Sequence, residues 1–73
     1  MKTNINGLID LLIEVLELKN DAALALMLGV SRPVVSHWRH GRVPFGATHI
    51  LRAHDVSELP IARIKSFLTP VVA

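Results

Sequence analysis

Apolar residues recur along this chain at intervals of three and four, in five segments separated by glycine, proline or polar residues. This period places apolar side chains on one face of an α-helix. The sequence therefore predicts an all-α fold, a compact bundle of about five short helices that forms a single domain over 1–73. We expect the helices at about 7–18, 21–28, 31–40, 45–54 and 60–68, with a frayed arm at 1–6 and a loose tail at 69–73.

The first predicted helix is apolar around more of its circumference than one buried face requires. On a helical wheel Glu14 and Glu17 fall within roughly 40° of Asp10. The apolar residues then cover about 220° of arc, whereas a single buried face needs little more than about 100°. Either this helix is unusually enclosed or part of it contacts another chain, and we favour the second interpretation.

The middle of the chain has the boundary residues of two short helices separated by a tight turn. Asn20 or Asp21 supplies the N-cap oxygen of the first helix. Gly29 ends it, because glycine adopts a left-handed conformation without steric cost. Ser31 restarts the chain as a second N-cap, and Gly41 ends the second helix as Gly29 ends the first. The spacing predicts that these two helices share an inner face made of Leu24, Ala25, Leu28, Val30, Val35 and Trp38.

This stretch resembles the helix-turn-helix of the phage Cro and repressor family. The resemblance lies in the small residue Ala25, in Gly29 four positions later, and in the phrase Val-Ser-His-Trp-Arg-His-Gly-Arg that runs from Val35 to Arg42. It implies a lambda-repressor-like fold, a helix-turn-helix at about 21–40 and a DNA-binding function. In such proteins the second helix lies in the major groove with its N-terminal half against the bases.

With Val35 and Trp38 inward, four residues of the second helix point outward and become candidate base contacts. Arg32 can bond a guanine through two donors, and His37 can donate or accept according to its tautomer. Ser36 reads base edges weakly, and Pro33 offers apolar contact to a thymine methyl. The alternative is that Arg32 and His37 are only solvated polar residues. The candidate phosphate contacts are Ser31, His40, Arg42 and the backbone N–H groups near Gly46.

The chain departs from the family pattern at two charged positions. Relatives often carry a phosphate-binding glutamine where this chain has Asp21, and a carboxylate there would repel phosphate. Relatives also carry a glutamate at the position of Arg39, paired with an arginine of the first helix. The matching position here is Glu14, so we expect a Glu14–Arg39 pair with the charges exchanged. Such a pair would contribute about 0–1 kcal/mol and act mainly through orientation.

Other apolar residues suggest contacts with a second chain. In relatives the positions of Ala22, Ala23, Leu26 and Met27 are mostly polar, so a contact surface is expected there. The last helix often carries the dimer contact of the family, which the resemblance assigns here to its apolar stripe; the alternative is that the stripe completes the core of the monomer. The stripe is Ile61, Ile64, Phe67 and Leu68, and the fourth helix should face the core or its edge with Ala47, Ile50, Leu51 and His54.

Charge is segregated along the chain. All six acidic residues lie outside 22–54, a window that holds four arginines and all four histidines. The formal charge of the window is therefore +4, and four basic residues against six acidic ones give −2 for the remainder. A phosphate-facing surface requires such segregation, although a short chain can also segregate charge by chance.

Several classes of function find no support in the composition. The chain has no cysteine, which excludes disulfides and cysteine-rich zinc sites. Ser36 and His37 diverge by about 100° on a helix and cannot form a nucleophile–base pair. His37 and His40 alone make a weak metal site. We expect no enzyme activity, no metal and no cofactor. No signal peptide or membrane span is apparent, so we expect a cytoplasmic protein of a bacterial or phage-infected cell.

The leading hypothesis is a sequence-specific transcriptional regulator, a Cro/repressor-like repressor that binds double-stranded DNA. As a homodimer it would read an inverted repeat with half-sites about one helical turn apart. The alternative is a protein-interaction module, such as an antitoxin-like partner, that uses the same fold. A third and weaker possibility is nucleic-acid binding without sequence preference.

Overall fold

Five α-helices account for most of residues 3–69, the part of the chain that the computed structural model describes. These residues contain no strand, so the predicted all-α fold is confirmed. The radius of gyration is 11.3 Å, close to the value of about 11 Å expected for a compact chain of this length. The helices are α1 (Ile5–Val15), α2 (Asp21–Leu28), α3 (Arg32–Arg39), α4 (Ala47–Ser57) and α5 (Ile61–Leu68).

The boundaries of α2 and α3 follow the capping residues. The Asn20 side chain accepts a hydrogen bond from the backbone N–H of Ala23 at 2.9 Å, so Asn20 is the N-cap of α2. Gly29 has a φ of +70° and Gly41 a φ of +67°, the left-handed conformation expected of both. Ser31 stands at the N-cap of α3, but its side chain makes no capping hydrogen bond. The turn between the two helices is three residues long, as predicted.

The first helix begins earlier than predicted because Asn4 caps it. Its side chain accepts a hydrogen bond from the backbone N–H of Gly7 at 3.2 Å. Its own backbone N–H donates to the Phe67 carbonyl at 2.8 Å, which ties the start of α1 to the end of α5. Ile5 is buried in the core. The predicted frayed arm is therefore wrong for residues 4–6, whereas residues 1–2 and 70–73 lie outside the described part.

The first helix also ends earlier than predicted, at Val15 rather than Leu18. Glu17 adopts the left-handed conformation, with a φ of +54°. Around it the N–H of Leu18 donates to the Ile13 carbonyl at 2.9 Å, which satisfies an acceptor at the end of the helix. Glutamate therefore occupies a position that glycine would fill with less strain.

Replacing Glu17 by glycine is expected to raise the free energy of unfolding by up to about 1 kcal/mol. The substitution removes the left-handed strain of a residue with a Cβ, and the greater freedom of glycine in the unfolded chain offsets part of that gain. Urea denaturation measures the change. Glu17→Ala serves as the control, because it removes the same charge and keeps the strain. Equal stability of the two variants would contradict the prediction.

The fourth helix begins two residues later and ends three residues later along the chain than predicted. It runs through residues 55–57, beyond its predicted end at residue 54, and the left-handed residue is Glu58 with a φ of +62°. Ala53 is its buried residue, whereas Ala47 and Leu51 are exposed. The polar residues after His54 are compatible with a helix here because they lie on its outer side, except Ser57, whose hydroxyl donates to the Ala53 carbonyl.

One hydrophobic core joins all five helices. In it α3 packs against α1 and α2, while α5 packs against α1 and α4. The inner face predicted for α2 and α3 is confirmed, with Val30 only half-buried. Ile64 is fully buried, so this member of the α5 stripe completes the core of the monomer, while Ile61, Phe67 and Leu68 are half-buried. The buried core consists of Ile5, Leu8, Ile9, Leu12, Leu24, Ala25, Leu28, Val35, Trp38, Phe45, Ala53 and Ile64.

Candidate nucleic-acid interface

Helix α3 has one face in the core and the opposite face in solvent. Val35 and Trp38 are 0% and 1% exposed, which fixes the rotation of the helix about its own axis. The exposed residues recur at the spacing of one helix face and span about 140° of its circumference. The exposed face consists of the four predicted base contacts, Arg32, Pro33, Ser36 and His37.

An aromatic cluster holds the C-terminal half of α3 in place. The rings of Trp38 and Phe45 meet edge to face, with centroids 4.7 Å apart. His49 packs against the other side of the cluster, 4.9 Å from Trp38. Its buried Nδ1 has no hydrogen-bond partner among the described residues. No role is predicted for His49 from the sequence; it lies in the first turn of α4, four residues after Phe45 in the preceding loop.

Three of the four predicted phosphate contacts lie at helix ends, and the fourth lies in a loop. Ser31 is exposed at the start of α3 and Gly46 precedes the first residue of α4. His40 follows the last residue of α3, and its Nδ1 donates to the Ser36 carbonyl at 2.8 Å. Arg42 is exposed in the loop beyond. Ser31 thus lies at one end of α3, and His40 and Arg42 lie at the other.

The guanidinium of Arg39 binds three side chains from two other helices. Its Nε and Nη2 donate to the two carboxylate oxygens of Asp21 at 2.7 and 2.8 Å. Nη2 also donates to Asp10 at 2.8 Å, and Nη1 to the Asn6 side-chain oxygen at 2.9 Å. The Asn6 amide donates in return to the Arg39 carbonyl at 3.1 Å. We call these four residues the Arg39 cluster.

The predicted Glu14–Arg39 pair is wrong, because Arg39 pairs with Asp10 and Asp21 instead. Asp10 lies one helical turn before Glu14 on the same face of α1, so a shift of about 6 Å along the helix axis separates the two candidates. The early start of α1 brings Asn6 into the same cluster. Sequence reasoning missed Asn6 because it placed that residue in a frayed arm.

The cluster keeps Asp21 ionised. The hydrogen bonds from Arg39 hold the pKa of the Asp21 carboxyl below its ordinary value of 3.8. Partial burial acts in the opposite direction, and the attraction of the Arg39 charge adds to the lowering. The same hydrogen bonds raise the pKa of Arg39 above its ordinary value, with a further contribution from Asp10. Both shifts have the sign of a mutually stabilising ion pair.

Acidification is expected to weaken the fold through Asp21. Because its folded pKa lies below the unfolded value of 3.8, the stabilisation is complete above that value and is lost as the pH falls through the folded pKa. Between pH 6 and pH 3 the wild-type chain should lose up to about 1 kcal/mol more stability than Asp21→Asn, a figure reduced by solvent screening. Urea denaturation at both pH values measures this. Asp55→Asn is the control, and equal losses in the two variants would contradict the prediction.

An open groove runs beside the exposed face of α3. It has a volume of about 400 Å³ and lies between the start of α2 and the outer side of α3. Asp21 therefore lies next to the surface that carries two of the predicted base contacts. The groove is lined by Asn20, Asp21, Ala22, Arg32 and Ser36.

Comparison of the chain with family models, curated proteins and solved structures finds no match. Within residues 3–69 no group of three or more histidine or acidic side chains is placed to hold a metal ion. In the same range no helix combines the length and apolarity needed to cross a membrane.

Proposed function

We propose that this chain is a sequence-specific DNA-binding regulator, a Cro/repressor-like repressor that inserts α3 into the major groove of an inverted-repeat operator. The observation that carries the proposal is the division of α3 into a buried face and a solvent face. Val35 and Trp38 hold the helix to the core, and every residue of the solvent face is exposed. A rigid helix with a free polar face has the form that major-groove reading requires.

The solvent face offers distinct chemistry to the base edges. Arg32 lies at the N-terminus of α3 and presents two parallel donors, which suit the O6 and N7 acceptors of guanine. His37 follows on the same face and either donates to a guanine or accepts from an adenine amino group. Ser36 bonds either kind of edge, and Pro33 contacts a thymine methyl. In this proposal these four side chains supply the sequence preference.

The residues at the helix ends position α3 on the duplex. Ser31 at its start and Arg42 beyond its end are both exposed, and in this proposal they meet phosphates on either side of the groove. His40 and the backbone near Gly46 add further contacts. Phosphate contacts of this kind fix register and orientation without reading sequence.

The distribution of charge supports a nucleic-acid partner. Arg32 and Arg42 are exposed, and the window that contains them carries no acidic residue. Arg52 contributes to the same window, although its Nε donates to the Met27 carbonyl at 3.3 Å and helps to join α4 to α2. A basic surface next to a reading helix attracts the phosphate backbone and accelerates association.

We propose a homodimer as the binding species, because one helix of eight residues reads only a few base pairs. The half-buried residues Ile61, Phe67 and Leu68 of α5 are the proposed dimer contact. Ile64 was assigned to the same contact from the sequence, but its side chain has no exposed surface left for a second chain.

Selection of bound duplexes from a random DNA pool at moderate salt tests the proposal. The expected product is an inverted repeat with half-sites about 10 bp apart. Arg63→Ala is a useful control, because it removes one positive charge from α5, a helix that does not contact α3 in the described structure. This variant should recover the same sequence as the wild type. If no sequence is enriched and binding weakens as salt is added, the chain binds DNA phosphates without sequence preference.

A protein-interaction module is the second candidate, supported by exposed apolar side chains. Leu26 is 83% exposed on the outer side of α2, and Val15 is 42% exposed at the end of α1. Met27 is the neighbour of Leu26 and is also exposed. Size-exclusion light scattering discriminates between the candidates. A stable homodimer favours the regulator, whereas aggregation that is relieved by co-expression with a neighbouring gene product, and by Leu26→Ser, favours the module.

A further inference from the structure

We infer that Arg39 is a positioning residue that neutralises Asp21, so that the DNA backbone can approach the groove beside α3. This inference rests on the proposed function and adds an electrostatic condition to it. Asp21 lines that groove together with Arg32 and Ser36. An uncompensated carboxylate at this place would face the phosphates, and like charges across an interface strongly oppose association.

The hydrogen bonds of the Arg39 cluster show where the charge of Arg39 acts. Its guanidinium donates two parallel hydrogen bonds to the carboxylate of Asp21. In this geometry an arginine compensates the negative charge of a carboxylate most fully. The remaining described contacts go to Asn6 and Asp10 of α1, away from the groove lining. Arg39 is also only 24% exposed. Arg39 is thus turned toward α1 and α2, and it acts on DNA through Asp21 without touching the duplex.

The cluster also joins three helices at one point. Arg39 is the last residue of α3, Asp21 the first of α2, and Asn6 and Asp10 belong to α1. The Asn6 amide holds the carbonyl of Arg39 as well as its side chain. Loss of the cluster would therefore alter the orientation of α3 as well as the charge beside it, and the experiment must separate these two effects.

A double-mutant cycle on Arg39 and Asp21, read as the dissociation constant for a selected duplex, makes the separation. Arg39→Met keeps the length of the side chain and removes its charge, and it should weaken binding at least about tenfold. Asp21→Asn alone should change binding less than about threefold, because Arg39 already compensates this carboxylate. In the Arg39→Met background the same Asp21→Asn change should restore most of the loss, a strong non-additivity.

Three further variants distinguish the loss of charge beside α3 from a change in the orientation of α3. Arg39→Met with Asp10→Asn removes the carboxylate that does not line the groove and should restore little. Arg39→Lys keeps the positive charge and should bind within about threefold of the wild type. Arg63→Met removes an equal charge from α5 and should weaken binding much less than Arg39→Met. Circular-dichroism melting confirms which variants are folded at the assay temperature.

Several outcomes would overturn the inference. One is an Arg39→Met variant that binds as well as Arg63→Met, and another is an Arg39→Lys variant as weak as Arg39→Met. A folded Arg39→Met/Asp21→Asn variant that still binds DNA weakly would mean that Arg39 acts only by orienting α3. A tenfold gain from Asp21→Asn alone would mean that the released Arg39 binds phosphate itself. A wild-type chain that binds no duplex would defeat the proposed function, and this inference with it.

Discussion

Replacement of Trp38 by alanine is expected to lower the free energy of unfolding by about 3–5 kcal/mol, the range typical of deleting a large aromatic side chain from a core. Trp38 is 1% exposed and is the largest fully buried side chain. It packs edge to face with Phe45 and lies against His49, so its removal leaves these two rings with only each other, at a centroid distance of 5.6 Å. A chain of this length has a total stability of about 4–11 kcal/mol, so the substitution removes a large part of it.

Thermal denaturation followed by circular dichroism measures this effect. A loss of this size should lower the Tm by more than about 12 °C in a domain of this length. Trp38→Phe keeps an aromatic ring in the site and should lose less. Ser36→Ala changes the exposed face of the same helix and should alter stability by no more than about 0.5 kcal/mol. A Trp38→Ala variant with a wild-type Tm would mean that the cluster does not hold α3.

Replacement of Arg32 by alanine is expected to cost about 1–3 kcal/mol of DNA-binding free energy, and the loss should fall on one base position of each half-site. The side chain is exposed at the start of α3, beside the groove. A contact with two acceptors of one guanine explains such a position-specific loss. Competition binding with duplexes substituted at single positions measures it, because the variant should no longer distinguish the preferred base there.

Two control variants define what Arg32 does. Arg32→Lys keeps the charge but loses the paired donors, so it should retain non-specific affinity and lose preference at the same position. Arg63→Ala lowers the net charge equally and should leave every base preference intact. A uniform loss of affinity over all sequences in Arg32→Ala would instead identify a phosphate contact. None of these changes should alter stability by more than about 0.5 kcal/mol, because Arg32 and Arg63 are exposed.

The parts of the fold that depend on local chemistry could be predicted from the sequence. Gly29 and Gly41 mark positions where the backbone must turn left-handed, and Asn20 can satisfy free N–H groups of the next helix. These local signals give the bounds of α2 correctly and those of α3 within one residue. The end of α1 carries no such signal, because Glu17 adopts the left-handed conformation against its intrinsic preference.

The partners of Arg39 depend on tertiary geometry and could not be predicted. Asp10 and Glu14 share a face of α1, and only the axial position of α1 relative to α3 decides which of them meets Arg39. The early start of α1 at Ile5 depends partly on tertiary geometry, since the backbone N–H of Asn4 donates to Phe67 near the far end of the chain. The Asn4 side-chain cap is, by contrast, a local signal like that of Asn20. The sequence predicts the end of α4 three residues too early, because the polar residues after His54 resemble a turn and only packing shows that they lie on the solvent side of a helix.

The division of α3 into two faces has a consequence for how this protein can diverge. The four residues of the outer face are exposed, so substitutions there cost little stability and selection can vary them freely: Arg32, Pro33, Ser36 and His37. The residues that hold the helix are a separate set and tolerate little change. Under the proposed function, descendants of one ancestral chain can therefore acquire new operators through a few outer substitutions while the scaffold stays fixed. In such a lineage binding preference evolves quickly, and the architecture that supports it evolves slowly.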